Sequence, residues 1–303
     1  MILSLKMTFS RMRSLGVFAA FFLFVSTNSF AQKTSLLWEI HKSGTTEVSF
    51  LYGTMHSQDV AIFQHRDTIF NYVEKCDVFS GELDMNIEPD PMAMSMQMMA
   101  EEPLSKWYSE ENLAIIDAYL TEKLGEMAPV IRMFKPFWIM ATLIQMEEGL
   151  IAAEETEGES AAVIDDQLQR YAELKGLKVR ALETMQEQMD AISAISMEEQ
   201  AGLLLDVAKE PESQADITEA LKAAYIAGDL DQMYEVYLDE SLSTNIERLL
   251  IDVRNKRMAN RLAASIEEGN VVFCAIGALH LPGEEGVIER LRAMGYKVEP
   301  VKY

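Results

Sequence analysis

Two histidines stand at the same spacing from a glycine, each just after a predicted β-strand. His56 ends the tetrapeptide GTMH after an apolar run at residues 48–52, and His280 ends GALH after the run at 271–276. A glycine allows a tight turn off the strand, and open α/β sheets bind ligands beyond the carboxyl ends of their strands. We therefore predict that both imidazoles serve one site and lie within about 10 Å of each other, as ~2.1 Å bonds to one ion require. The alternative is that each imidazole caps its own strand through a hydrogen bond to backbone.

Two glutamates occupy comparable positions. Glu82 lies at the end of the strand predicted at 78–83, and Glu183 follows a short strand later in the chain. Two imidazoles and one carboxylate form the ligand set of a facial metal site, so His56, Glu82 and His280 could hold a divalent ion that activates water and polarises a carbonyl. Glu183 is then the candidate general base, or a residue that orients the site around the ion. Taken alone, a carboxylate at a strand end can equally be a solvated terminus.

These side chains can meet only if their strands share a sheet. Apolar runs and turn residues predict six strands, the first two joined as a hairpin around KSGT at 42–45. From about 104 to 268 the pattern is almost wholly helical. The predicted fold class is therefore α/β, a mixed β-sheet flanked by helices, with a large helical insertion between the N- and C-terminal strand-loop-helix halves. The predicted strands are residues 36–40, 48–52, 78–83, 178–182, 271–276 and 296–298.

The first 31 residues have the layout of an export signal. Three basic residues precede an apolar core at 15–25, and small residues stand before a cleavage point after Ala31. The apolar core is shorter than the ~20 residues that a membrane-spanning helix needs. We therefore predict a cleaved signal peptide at 1–31, a periplasmic or extracellular protein without a stable membrane span, and a single domain at 32–303.

The chain is strongly acidic. It has 49 Asp and Glu against 26 Lys and Arg, a net charge of −23. Removal of the leader would make this balance more negative, because the charged residues of the leader are all basic. Nucleic acid and anionic lipid are therefore disfavoured as partners.

Two sulfur-containing features allow more than one interpretation. Cys76 and Cys274 permit one disulfide in an exported protein, but Cys274 within an apolar strand is equally consistent with a buried thiol. The segment at 85–99 holds six methionines, four of them spaced by two. Thioethers can bind Cu(I), yet no His or Cys accompanies the run. An adaptable apolar segment that contacts a hydrophobic ligand is the preferred interpretation.

Several motifs together resemble the TraB/GumN family, from about Leu36 to the end of the chain. They are GTMH at 53–56, GELD at 81–84, LETMQEQ at 182–188, YIAGDL at 225–230, RN at 254–255 and GALHLPGEEGV at 277–287. The resemblance implies a functional role for Glu82, implies that Arg254 reaches the site as a carboxylate or oxyanion clamp, and matches Asp165 to a family aspartate. Met258 departs from the aromatic residue that the family commonly has three positions after the asparagine.

The resemblance also bears on function. The family, whose animal relatives are called Tiki, is similar to metal-dependent peptidases, and its superfamily includes erythromycin-esterase-like and haem-binding members. The predicted function is an exported metal-dependent hydrolase that uses Mn²⁺, Co²⁺ or Zn²⁺ on a peptide or protein substrate. A serine nucleophile is disfavoured, since no Gly-x-Ser-x-Gly motif is present. Two alternatives remain: a haem- or ligand-binding protein without turnover, and a cell-envelope adaptor that uses its helical middle and methionines.

Overall fold

Six strands form one sheet in the part of the chain that the structure describes. The structure is a computed structural model, and it describes residues 35–57, 59–88, 90–147, 163–239 and 244–303. The strands are β1 (Leu37–His41), β2 (Val48–Thr54), β3 (Val78–Gly81), β4 (Lys178–Ala181), β5 (Val272–Gly277) and β6 (Lys297–Pro300). Their order across the sheet is β4-β3-β5-β2-β1-β6. The predicted mixed sheet is confirmed.

The directions of the strands decide where the site is. β2, β3, β4 and β5 all run the same way, because β2 and β3 both pair parallel with β5 and β4 pairs parallel with β3. β1 and β6 are antiparallel to this group. The four parallel strands therefore end at one edge of the sheet. The hairpin between β1 and β2 turns at Gly44, whose φ of 82° suits a residue without a side chain.

Helices flank the sheet and fill the middle of the chain, as predicted. They are α1 (Arg66–Val73), α2 (Pro91–Met98), α3 (Glu110–Leu124), α4 (Ala128–Ile131), α5 (Pro136–Glu147), α6 (Ile164–Leu174), α7 (Met185–Ser193), α8 (Met197–Lys209), α9 (Pro211–Ile226), α10 (Leu230–Asp239), α11 (Thr244–Glu247), α12 (Val253–Glu267) and α13 (Val287–Ala293). Short 3₁₀ turns lie at Val60–Phe63, Leu104–Lys106, Gly125–Met127 and Ala278–His280.

The structure differs from the sequence prediction at two helices. The helical pattern predicted up to residue 268 is interrupted near its end, since a π-helical turn at Arg248–Asp252 separates α11 from α12. π-Turns are uncommon and often lie near functional sites. The methionine segment, interpreted from sequence as flexible, contains α2, which begins with Pro91 and is capped by the Asp90 carboxylate.

Two apolar clusters support the fold. The larger one covers the sheet on both faces, which explains the unbroken apolar sequence of β5. The smaller one lies within the helical middle and contains Ile116, Leu120, Ile139, Leu143 and Leu204.

Cys76 and Cys274 are both buried and free, so the possible disulfide is not formed. Burial raises the pKa of the Cys76 thiol to about 12 and that of Cys274 further still. Cys274 is fixed in the middle of β5, between β3 and β2. The structure therefore supports the interpretation of Cys274 as a buried thiol.

The predicted leader at 1–31 lies outside the described residues. Among the residues that are described, we find no helix with the length and apolar character needed to cross a membrane.

Candidate functional site

Four of the five residues singled out from sequence follow the four parallel strands. His56 comes after β2, Glu82 after β3, Glu183 after β4 and His280 after β5. The ends of β3 and β4 are joined directly, because the Glu183 amide donates to the Glu82 carbonyl across 2.8 Å. The sheet topology therefore brings these positions to a common edge, as expected for a ligand site of an α/β fold.

The two Gly-x-x-His loops pack against each other. A Cβ atom on Gly53 would lie 3.0 Å from the Cα of Ala278, in the second loop. A Cβ on Gly277 would lie 3.2 Å from Oε1 of Glu82, and the Gly277 amide donates to that oxygen across 2.7 Å. Close approach thus explains both glycines, since Gly53 lies against the second loop and Gly277 lies against the Glu82 carboxylate.

His280 is buried, with 7% of its side chain exposed. Its Nδ1 lies 2.7 Å from Oδ1 of Asn255, while Nδ2 of Asn255 donates to the Glu285 carbonyl across 2.9 Å. The amide oxygen of Asn255 is therefore the acceptor, and the proton of the neutral imidazole is on Nδ1. Burial lowers the pKa of His280 to about 4. The lone pair of Nε2 is then available, 3.8 Å from Oε1 of Glu82.

Glu82 is held in the ionised form by its neighbours. Nη2 of Arg254 donates to Oε2 across 2.6 Å, and Nε2 of Gln188 lies 3.3 Å from the same oxygen. Burial alone would raise the pKa of Glu82, but the charge that His280 acquires in acid, the Arg254 guanidinium and the Gly277 amide lower it to about 2; at neutral pH Arg254 and Gly277 stabilise the carboxylate. A carboxylate in this environment is ionised at neutral pH.

Arg254 reaches the site from the first turn of α12, and a second carboxylate fixes it there. Its Nε and Nη2 lie 2.8 and 2.7 Å from Oε2 of Glu183, and Nη1 of Arg257 lies 2.7 Å from Oε1. The Glu183 side chain is fully buried. Since both oxygens accept from guanidinium groups, this geometry favours a positioning role for Glu183 over that of general base.

His56 pairs with a different carboxylate. Its Nε2 lies 3.2 Å from Oδ2 of Asp165 on α6, and 62% of its side chain is exposed. The charge of Asp165 raises the pKa of His56 to about 9. Oδ1 of Asp165 accepts from the Thr54 hydroxyl across 2.7 Å, whereas Oδ2 is buried without a well-formed hydrogen bond to any described residue. Asp165, which the resemblance pointed out, thus connects α6 to the first loop.

A small cavity of about 70 Å³ joins these groups. Its lining includes His56, Glu82, Asp165, Gln188 and Met85. Within the described residues, no three His, Cys, Asp or Glu side chains are grouped closely enough to hold a metal ion. His56 and Glu82 thus line this cavity and His280 does not, and in this conformation His56 is paired with Asp165 and Glu82 with Arg254.

Sequence reasoning did not assign several residues that complete the site. Gln188 contacts both Glu82 and Glu183, Arg257 shares Glu183, and the Tyr225 hydroxyl donates to the Gly53 carbonyl across 3.1 Å. Gln188 and Tyr225 stand within the motifs LETMQEQ and YIAGDL, so the signal was present. The motifs did not show which residue each of these side chains contacts.

The fold and this edge define an α/β protein with two interacting Gly-x-x-His loops and a buried carboxylate-arginine network. The model of the TraB/PrgY/gumN family matches residues 36–300, and the chain belongs to this family.

Comparison with curated proteins finds a metalloprotease relative. The chain is similar to "Metalloprotease TIKI2" of Danio rerio, with 26% identity over 193 residues. The match covers 54% of this chain and 36% of the relative, so the chain spans about a third of the length of that protein. No solved structure matches the chain.

Proposed function

We propose that this protein is a metal-dependent hydrolase of peptides, with His56, Glu82 and His280 as ligands of Mn²⁺, Co²⁺ or Zn²⁺. The observation that carries the proposal is the pairing of His280 with Glu82. A neutral imidazole, with its proton held on Nδ1 by Asn255, presents Nε2 to an ionised carboxylate 3.8 Å away. Metal-bound histidines are typically oriented in this way by a hydrogen bond to the other ring nitrogen. The similarity to a metalloprotease agrees with this chemistry.

The donor groups of His56, Glu82 and His280 fit a divalent ion in type. Two ligands with ~2.1 Å bonds to one ion can be 3.8 Å apart, as His280 Nε2 and Glu82 Oε1 are. Asp165 Oδ2 is buried and has the His56 imidazole 3.2 Å away as its charged neighbour, so Asp165 competes with an ion for His56. Ion binding would require His56, whose pKa Asp165 raises to about 9, to release its proton and to exchange its contact with Asp165 for the ion.

When bound, the ion would lower the pKa of its water and polarise the scissile carbonyl. The residues of the chain have separate tasks. Arg254 keeps Glu82 ionised and fixes the direction of its carboxylate, and Glu183 holds Arg254 in place. Asn255 selects the tautomer of His280. Arg254 is also the cation nearest to Glu82, and we assign it the stabilisation of the developing oxyanion.

The chain offers a matched test, since it has four histidines. His56→Ala, His280→Ala and Glu82→Gln should each lose bound metal and peptide hydrolysis, because a three-ligand site seldom retains an ion with two ligands. His41→Ala and His65→Ala, outside the site, should keep both. Metal content is measured by elemental analysis, and cleavage by mass spectrometry of a peptide library with added Mn²⁺, Co²⁺ or Zn²⁺. Circular dichroism confirms folding. Site variants that bind metal and cleave peptides as wild type does would refute the assignment.

A binding protein without turnover is the second candidate. It is favoured by the full engagement of Glu82, whose Oε1 accepts from Gly277 and whose Oε2 accepts from Arg254. In that case the same edge would bind haem or another ligand, or the protein would act as an adaptor at the cell envelope. Visible absorbance in the haem region of the purified protein would support the haem-binding form. A wild-type protein with neither metal nor pigment would support the adaptor.

We further propose that the protein is exported, on the basis of the leader-like sequence at 1–31. The mature chain should begin at Gln32, which intact-mass measurement of the secreted or periplasmic protein will test. Recovery of the full-length chain in the membrane fraction would contradict both cleavage and localisation.

A further inference from the structure

An exposed apolar surface lies beside the candidate site. It comprises Met85, Ile87, Met92, Met96 and Met133, and we call these five residues the methionine surface. Ile87, Met92 and Met96 are 68%, 74% and 72% exposed. Single exposed apolar residues are ordinary, but several large ones near each other commonly mark an interaction site.

The helical geometry of α2 explains why these methionines face outwards. Residues four apart lie on the same side of a helix, so Met92 and Met96 share one side while Met94 and Met98 share another. The first pair is exposed and the second is half-buried. The end of α2 is tied to the segment around Met133, since the Ala100 amide donates to the Met133 carbonyl and the Lys135 amide to the Met98 carbonyl, both across 2.8 Å. These ties bring Met133 next to α2.

The methionine surface reaches the site through Met85. Met85 lines the cavity together with His56 and Glu82. The Met85 amide donates to the side chain of Gln169 on α6, which fixes this part of the surface to the core. A polypeptide whose reacting bond lay beside Glu82 would therefore have its neighbouring residues close to the methionines.

Acidic residues border the surface and restrict the charge of its partner. Glu88 and Asp90 precede α2, Glu101 and Glu102 follow it, and all four are exposed; Glu102 is paired with Lys106 across 2.9 Å, so the border offered to a partner is Glu88, Asp90 and Glu101. The chain as a whole has a net charge of −23. Flexible methionines adapt to apolar side chains of varied shape, and an acidic border favours basic groups next to them. Anionic membranes would be repelled.

We propose that the methionine surface binds a segment of the polypeptide substrate that is both apolar and basic. This inference rests on the proposed hydrolase function and specifies the substrate of the same site. The thioethers contact the apolar side chains of the segment, the acidic border pairs with its Lys and Arg, and the bond to be cleaved lies towards Met85 and the cavity. The surface thus supplies affinity away from the reacting atoms.

Direct binding tests this proposal without turnover. The probe is a fluorescein-labelled amphipathic peptide of leucine and lysine, and its binding to the mature protein is measured by fluorescence anisotropy at about 0.15 M salt. The double variant Met92→Ser/Met96→Ser should bind about tenfold more weakly, since it removes two apolar contacts. Met294→Ser is the matched control. Met294 is exposed, but it lies between the end of α13 and the start of β6, away from α2 in the sequence. This variant should bind as wild type does.

Two further measurements distinguish the possible failures. A peptide with serine in place of leucine should bind wild type and the double variant equally weakly, because it retains only the charge attraction. Treatment with EDTA should leave binding of the leucine-lysine peptide unchanged. A protein that binds this peptide but is inactive or metal-free would therefore refute the proposed hydrolase function and not the peptide-binding role of the methionine surface.

The methionine surface is refuted if the double variant binds the leucine-lysine peptide like wild type. It is also refuted if wild type does not bind the leucine-lysine peptide, and binding of zwitterionic phosphatidylcholine vesicles in that case would indicate a membrane-facing role.

Discussion

Nη2 of Arg254 donates to Oε2 of Glu82 across 2.6 Å, although 172 residues separate the two in sequence. The same guanidinium is bound by Glu183, so one arginine connects the ends of β3 and β4 to α12. A network of buried charges keeps its geometry only when every member is paired.

Glu183→Gln should retain metal, slow peptide turnover and destabilise the fold. Glutamine can accept from Arg254 or Arg257 but cannot balance their charge, and leaving a buried charge uncompensated costs about 3 kcal/mol. Urea denaturation gives the stability, while elemental analysis and peptide cleavage give the other two results. Glu268→Gln is the control, because its pair with Arg180 is exposed to solvent and should contribute little to stability. Equal stability of the two variants would argue against the positioning role.

Asn255→Leu should weaken metal binding by about 10- to 100-fold, the usual effect of removing the partner that orients a metal-bound histidine. Asn255→Asp keeps an acceptor 2.7 Å from His280 Nδ1 and should bind metal more tightly than the leucine variant. Titration with a metal indicator measures the affinities, and nitrogen NMR of the His280 ring reports its tautomer. If Asn255→Leu leaves both the affinity and the tautomer unchanged, Asn255 does not position His280.

Gly53→Ala should destabilise the protein by about 1–3 kcal/mol, since the new methyl group would lie 3.0 Å from the backbone of Ala278. Gly202 on α8 is the matched control, because its added Cβ would have no atom within 4 Å. Gly202→Ala should stabilise the fold by about 0.5–1 kcal/mol through better helix propensity. Thermal unfolding followed by circular dichroism measures both. If Gly53→Ala and Gly202→Ala changed the stability in the same direction, the close contact with Ala278 would not explain why residue 53 is a glycine.

Glu187→Gln should lower stability at neutral pH and have little effect in acid. Hydrogen bonds from Arg261, helped by the Thr184 amide and the charge of Arg257, lower the pKa of Glu187 from 4.5 to about 2. A lowered carboxyl pKa gives stability that is present above pH 4.5 and is lost as the pH falls towards 2.

The expected loss at pH 7 is about 1–2 kcal/mol, and the difference from wild type should shrink between pH 4.5 and 3. Urea unfolding at a series of pH values measures it. Glu47→Gln, at an exposed position in the hairpin, is the control. A difference between Glu187→Gln and wild type that stays constant down to pH 3 would rule out the ion pair with Arg261 as its cause.

The sequence by itself determined the local elements and the positions of the polar residues on them. An unbroken apolar run ended by Gly277 indicates a buried strand, and a histidine three residues later must lie near its end. The same logic located His56, Glu82 and Glu183. These predictions depend on neighbours in the chain, and local patterning was sufficient for them.

Only the tertiary structure decided which of these residues pair. The sheet order inserts β5 between β3 and β2, and this arrangement brings the Gly277 amide to Glu82 and Ala278 to Gly53. The pairing of His56 with Asp165 depends on the packing of α6 against the sheet. Hydrogen bonds and ion pairs are effective over only a few ångströms. Contacts between residues distant in sequence therefore depend on how the helices and strands pack, and not on the spacing of residues along the sequence.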